Sequence, residues 1–136
     1  MAQAIIAAIT DVARSKFADM VKTGNSFSVD SYITGSGGHD PEDATIALTP
    51  DPTIIDISNK TSDKKTIPAN NIVLISPICV QYQVALDLLD SVGPLSCIGL
   101  YATDKYGEVF LFAVANFPLI VKTDAERRSI FIQVNY

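Results

Sequence analysis

The segment 109–117, Val-Phe-Leu-Phe-Ala-Val-Ala-Asn-Phe, constrains the fold more than any other part of this 136-residue chain. At a period of two, Val109, Leu111, Ala113, Ala115 and Phe117 fall on one side of a strand, and Phe110, Phe112 and Val114 on the other. A strand that is apolar on both sides must be covered on both sides. One helix is available for the first. For the second there is either the segment 35–71, which is mostly polar, or another copy of the chain. The polarity of 35–71 favours another copy, so Val109, Leu111, Ala113, Ala115 and Phe117 are expected to form a subunit interface.

Composition points the same way. Charged residues make up 18% of the chain, against about 25% in an ordinary globular domain. A small domain has much surface for its volume and needs charge there, so a deficit implies surface hidden in an assembly. The net charge of −5 and the scatter of the ten Lys and Arg argue against a nucleic-acid partner, which requires a basic patch. Cys79 and Cys97 are too few for a disulfide framework and are expected to be buried free thiols, placed far apart along a hairpin of 79–89 with 96–102. Residues before the first apolar run lack the basic charge of a secretory leader, and no apolar run reaches the 18 residues of a membrane span.

Along the chain, Ile9, Val12, Ala13, Phe17, Met20 and Val21 return to one helical face, which predicts a helix over 11–23. Thr10 or Asp11 can cap its start and Gly24 its end. Positions 4–9 suit either a short strand or an extra helical turn. A strand is expected at 26–34, running into Gly35-Ser36-Gly37-Gly38 and then into loop as far as 71, with at most one strand at 54–57. Strands follow at 71–76, 80–88, 96–102, 109–117 and 129–136, with turns at 91–94 and 103–107. The expected fold is a single α+β, mainly β domain, with one N-terminal helix on an antiparallel meander and a long central loop.

Nothing in the residue pattern predicts catalysis or a cofactor. The only histidine, His39, stands in a Gly-rich turn expected to hold no nucleophile in place. His39, Asp40, Glu42 and Asp43 could form a metal site, since a carboxylate-rich loop can gather oxygen ligands, but they lack the spacing of a calcium loop. The acids Asp87, Asp90, Asp104, Glu108, Asp124 and Glu126 fall at turns or strand ends and read as solvated caps. Gly35-Ser36-Gly37-Gly38 lacks the Gly-Lys-Ser/Thr of a phosphate loop. Tyr82 and Tyr136 lie on apolar strand faces and read as core.

The order of elements, with certain short motifs, resembles the N-terminal domain of phage tail-collar and tail-fibre proteins. The motifs are Thr10-Asp11 before the helix, Tyr32-Ile33-Thr34-Gly35-Ser36-Gly37-Gly38 at a strand end, Ile98-Gly99-Leu100-Tyr101, Gly107, and Ala113-Val114-Ala115-Asn116-Phe117-Pro118 with Lys122 beyond. Two features depart from that family. Cys97 stands where an acidic residue is usual, and no fibre shaft follows Tyr136, so the chain is expected to be either an excerpt or a short adapter. The resemblance implies a structural component of a phage or phage-like contractile tail, which attaches or forms the base of a receptor-binding fibre. It implies a homo-oligomer, commonly a trimer, in contact with other tail, baseplate or fibre proteins and located in the virion tail after synthesis in the host cytoplasm. Gly35, Gly37, Gly38, His39 and Asp40 are expected to form a partner-contacting loop. A module that recognises a host receptor or glycan directly is the alternative.

Overall fold

Thr10 sets the start of the helix. Its side chain accepts the Ala13 N–H at 3.1 Å, which satisfies one of the free amides of the first turn. The helix, α1, runs Asp11–Thr23 and ends on Gly24, whose φ of 74° lets its N–H fold back onto the Met20 carbonyl. The same Thr10 hydroxyl donates to the Leu111 carbonyl at 2.6 Å, so the cap also ties α1 to a strand a hundred residues away. The computed structural model describes residues 4–88 and 93–136.

Among the described residues eleven strands accompany α1: β1 (Ile5–Ile6), β2 (Ala8–Ile9), β3 (Phe27–Gly35), β4 (His39–Asp40), β5 (Asp43–Ala47), β6 (Lys65–Thr66), β7 (Ile72–Ser76), β8 (Cys79–Leu86), β9 (Pro94–Asp104), β10 (Val109–Val121) and β11 (Arg128–Asn135). The described residues are mainly β with a single α-helix, and their sheets are antiparallel except where β1 joins β11. The strands do not form one meander. One sheet has the order β1-β11-β8-β7 and a second the order β2-β10-β9-β3-β6, with β4 and β5 forming a separate ribbon. β9 and β10 pair as expected, through a turn in which Gly107 takes a φ of 86°. The expected hairpin of β8 with β9 does not form, because those strands belong to different sheets; its turn at 91–94 lies in part outside the described residues.

The expected grouping along β10 is corrected by a β-bulge. Leu111 pairs with Tyr101 and Ala113 with Leu100, which leaves Phe112 as an extra residue. One extra residue inverts the parity of everything after it. Phe110 and Phe112 before the bulge therefore share a core with Ala113, Ala115 and Phe117 after it, whereas Leu111 and Val114 face the opposite side. A bulge between Val29 and Ser31 does the same to β3: Phe27, Val29 and Tyr32 point to the first core and Ile33 to the second.

Both sides of β10 are closed by the chain itself. The inward side chains of the four-stranded sheet, Tyr82, Val84, Leu86, Ile130, Ile132 and Val134, meet the inner face of the five-stranded sheet in the main core. Phe17 of α1 joins them, with its ring 5.1 Å from Phe27 and 6.0 Å from Phe112. The second side is covered by Ile54 and Ile57 from the central segment, which pack on Ile33, Tyr101, Leu111 and Val114. The residues expected at a subunit interface are thus core: Leu111, Ala113, Ala115 and Phe117 are buried, and only Val109 is exposed. The central segment is polar overall, but two isoleucines suffice to seal that face.

Chain segments 5–9 stitch the layers together. β1 runs parallel to β11 in one sheet, β2 antiparallel to β10 in the other, and the buried Ala7 lies between them. Cys79 and Cys97 are free and buried, as expected, though the reason differs: their strands lie in separate sheets. No helix among the described residues is long and apolar enough to cross a membrane.

Because Ala113 has no accessible surface, Ala113→Asp places an unpaired carboxylate in the core and is expected to destabilise the single chain by several kcal/mol. Circular dichroism melts check this. A variant that melts like the parent would return Ala113 to the surface.

Candidate functional site

The Gly-rich turn and the two strand motifs that carry the family resemblance meet at one end of the five-stranded sheet. Gly35 on β3 pairs with Cys97 on β9, and Cys97 pairs with Asn116 on β10, which puts three distant segments in one row. The chain then turns back over this row. The Gly38 N–H donates to Ser96 Oγ at 2.9 Å, and His39 Nδ1 lies 2.8 Å from the same oxygen. The Leu48 N–H donates to the Gly38 carbonyl and the Ser36 N–H to the Asn59 carbonyl. Two of the glycines are required by contact. A Cβ on Gly38 would collide with the Ser96 carbonyl oxygen, and one on Gly35 would stand 2.8 Å from Cys97 Sγ.

In this arrangement the turn expected to contact a partner is fastened to the sheet and is not flexible. Gly35 and Gly38 are buried, His39 and Asp40 are half-buried, and of the five expected contact residues Gly37 alone is exposed. Nor does His39 stand without a hydroxyl. It has Ser96 as a hydrogen-bond partner, a pairing invisible in sequence because 57 residues separate the two. The pair has the residue types of an activated nucleophile. Its geometry is that of a lock: Ser96 has no accessible surface, and its oxygen is already engaged by the Gly38 amide.

Beside the turn, the central segment lies over the outer side of the sheet and leaves a cleft of about 200 Å³, lined among others by Gly37, Leu48, Asp51, Ile54, Ser58 and Asn116. Small-molecule sites usually enclose about 300–1,000 Å³. Asp51, which lines it, and the pair Tyr101 and Asp56 close by are engaged in other bonds. Asp51 accepts both the side chain and the backbone N–H of Thr53, which hold its carboxyl below the ordinary value. Tyr101 donates its hydroxyl to Asp56, and Asp56 pairs with Lys60 at 2.7 Å. Burial pushes the Asp56 carboxyl up, but Lys60 and Tyr101 together bring it below its usual range. Burial raises the Tyr101 hydroxyl and the Cys97 thiol, which keeps both protonated at neutral pH and makes Cys97 a poor nucleophile.

The acidic residues considered as ligands or acid/base groups serve backbone turns. Asp40 accepts the Glu42 N–H, and Asp43 accepts the N–H and hydroxyl of Thr45. Among the described residues, no group of three or more His, Cys, Asp or Glu is arranged to hold a metal ion. Asp87 pairs with Arg127 on the surface, and Asp90 lies outside the described residues. Asp104 is not the solvated cap expected: its side chain is buried. It accepts the N–H groups of Tyr106 and Glu108 and the amide of Asn25, and it lies 3.5 Å from Lys16, which also pairs with Glu108. Burial alone would raise its carboxyl; the Glu108 amide, Asn25, the Tyr106 amide and Lys16 outweigh burial and lower it. Tyr82 is buried as expected, but Tyr136 is 47% exposed. Comparison of the chain with family models, with curated proteins and with solved structures returns no match.

Two outcomes are expected. Gly38→Ala should cost about 2 kcal/mol or more, because the collision is with backbone and cannot be relieved by a rotamer; urea unfolding measures it, and an unchanged midpoint would show that the turn does not sit where described. For Asp104, a folded pKa below the ordinary 3.8 contributes stability that is present above that value and lost as pH falls through the folded one. Stability should therefore decline below about pH 4, and Asp104→Asn should flatten that part of the profile; a variant with the parent's acid limb would assign the effect elsewhere.

Proposed function

We propose that this chain is a structural component of a phage or phage-like contractile tail, attaching or forming the base of a receptor-binding fibre at the tail tip or baseplate. The observation that carries the reading is the meeting of the resemblance's motifs. Tyr32–Gly38, Ile98–Tyr101 and Ala113–Pro118 are separated in sequence, yet they lie side by side on the paired strands β3, β9 and β10, and the turn is fastened to them through Ser96. Such a set of residues is what a rigid scaffold uses. A loop built to capture a ligand would leave its polar groups free.

The work of such a module is mechanical. β11 lies between β1 and β8 and pairs with β8 over eight residues, Arg128 to Asn135. Ladder hydrogen bonds run perpendicular to the strands, so load entering along β11 strains the whole ladder at once and does not unzip it bond by bond. Self-association loses the support it drew from β10, whose two faces are closed within one copy. The structural role does not depend on that face.

Gold-labelled antibody against the chain, viewed on purified particles by electron microscopy, tests the proposal. Label at the tail tip, with loss of fibres when the gene is deleted, is the expected result. Particles that keep their fibres without the protein, together with saturable binding of the isolated chain to host cells or glycans, would replace it with direct receptor recognition.

A further inference from the structure

Ile9, Arg14, Phe17 and Tyr136 line a cleft of about 240 Å³ beside α1. Arg14 and Phe17 are three residues apart on the helix and so share one of its faces. The apolar walls are held in place from behind. Ile9 is buried on β2. The Tyr136 ring meets that of Phe17 edge-on at 6.0 Å, with 89° between the planes, and packs on Phe112 at 5.8 Å. Tyr136 is also fastened at both ends: its N–H donates to the Ile78 carbonyl, and its hydroxyl lies 3.2 Å from that of Tyr82. The remaining wall is a cation without a counter-ion. Arg127 pairs with Asp87 and Arg128 with Glu126, whereas Arg14 is exposed and no carboxylate of the described residues reaches it. None of the side chains lining the cleft is acidic.

We propose that this cleft binds a small free carboxylic acid, as its anion, whose body is one aromatic ring or a branched aliphatic group of that size. Charge selects the head. A guanidinium presents two parallel N–H groups that match the two oxygens of a carboxylate. Arg14 is the one cation in the lining, which suits a monoanion and leaves half the charge of a phosphate group unmatched. Shape and polarity select the body. Phe17 and Tyr136 offer ring faces and edges to a further ring, an arrangement that adds to the gain from burial alone. An apolar cavity of about 150 Å³ takes a benzene molecule, so this cleft holds one ring with its acid group and little more. A neutral hydrophobe would leave the guanidinium without a partner, and a bare anion would leave the apolar walls in water. The inference rests on α1 and Tyr136, not on the Gly-rich turn, so it and the tail reading can fail separately.

Phenylacetate titrated into the isotope-labelled full chain, followed through the amide resonances, tests the proposal. Saturable shifts are expected at Ile9, Arg14, Phe17 and Tyr136, with a dissociation constant on the order of a millimolar for so few contacts. Phenylacetamide keeps the ring and removes the charge; acetate keeps the charge and lacks the ring. Each should bind at least about fivefold more weakly. Arg14→Gln should bring phenylacetate down to the affinity of the amide while the melting curve stays in place, because the side chain is exposed. An N-acetylated tripeptide ending in phenylalanine carries the same ring and carboxylate on a protein C-terminus. Should it bind more tightly than phenylacetate, the occupant is a protein terminus and the free acid is overturned. The proposal also falls if no saturable shift develops by about 20 mM or if the shifts lie at other residues. Acetate binding as well as phenylacetate would sink it too, as would an Arg14→Gln protein that still prefers acid to amide.

Discussion

Everything in this fold follows from having to bury both sides of β10. A strand with Phe, Leu, Phe, Ala, Val, Ala and Phe along it cannot lie at a surface, and it takes the centre of three layers: a second sheet below, the five-stranded sheet that contains it, and the isoleucines of the central segment above. The bulge at Phe112 makes this workable. It turns two large rings and the smaller side chains after them toward the same core, where Phe17, Phe27 and Tyr136 complete an aromatic cluster. The long central segment, which has little regular structure, acquires a purpose from the same demand. Ile54 and Ile57 are its anchors, and the Asp51–Thr53 turn before them satisfies backbone where a polar chain lies on an apolar surface.

The Gly-rich turn shows how a motif can mean the opposite of what its composition suggests. Gly35-Ser36-Gly37-Gly38 has the look of a flexible loop, and sequence alone assigns it to partner contact. In the fold its glycines are small because backbone and Cys97 Sγ approach them closely, and the turn is held by Ser96, Leu48 and Asn59. His39, expected to be idle, is half of a partly buried hydroxyl–imidazole contact. The same inversion holds for Asp104, where a turn carboxylate expected in solvent is the clamp between α1 and the β9–β10 hairpin.

The scarcity of charge remains informative after β10 is removed from the surface. Sealing that strand inside one copy does not account for the apolar side chains that stay outside, and three of those, Val73, Leu74 and Ile75, follow one another on β7, a sheet edge within an uncharged segment. The compositional reading of hidden surface and the location of that surface are thus separate matters: one is a sum over residues, the other depends on which strand ends the sheet.

By itself the sequence determined the elements that depend on neighbours in the chain: α1, with a start at Thr10 or Asp11 and an end at Gly24, the turn at Gly107, the strands at β3 and β7 to β11, and the burial of both cysteines. Helical period, caps and turn glycines act within a few residues, so they can be read without a fold. Tertiary structure alone decided that β8 and β9 part into different sheets, that β11 enters beside β8, and that Ser96 meets His39. It also decided which face each residue of β3 and β10 presents, because a bulge is one unpaired residue whose position is set by the partner strand, and a period of two carries no mark of where it will be broken.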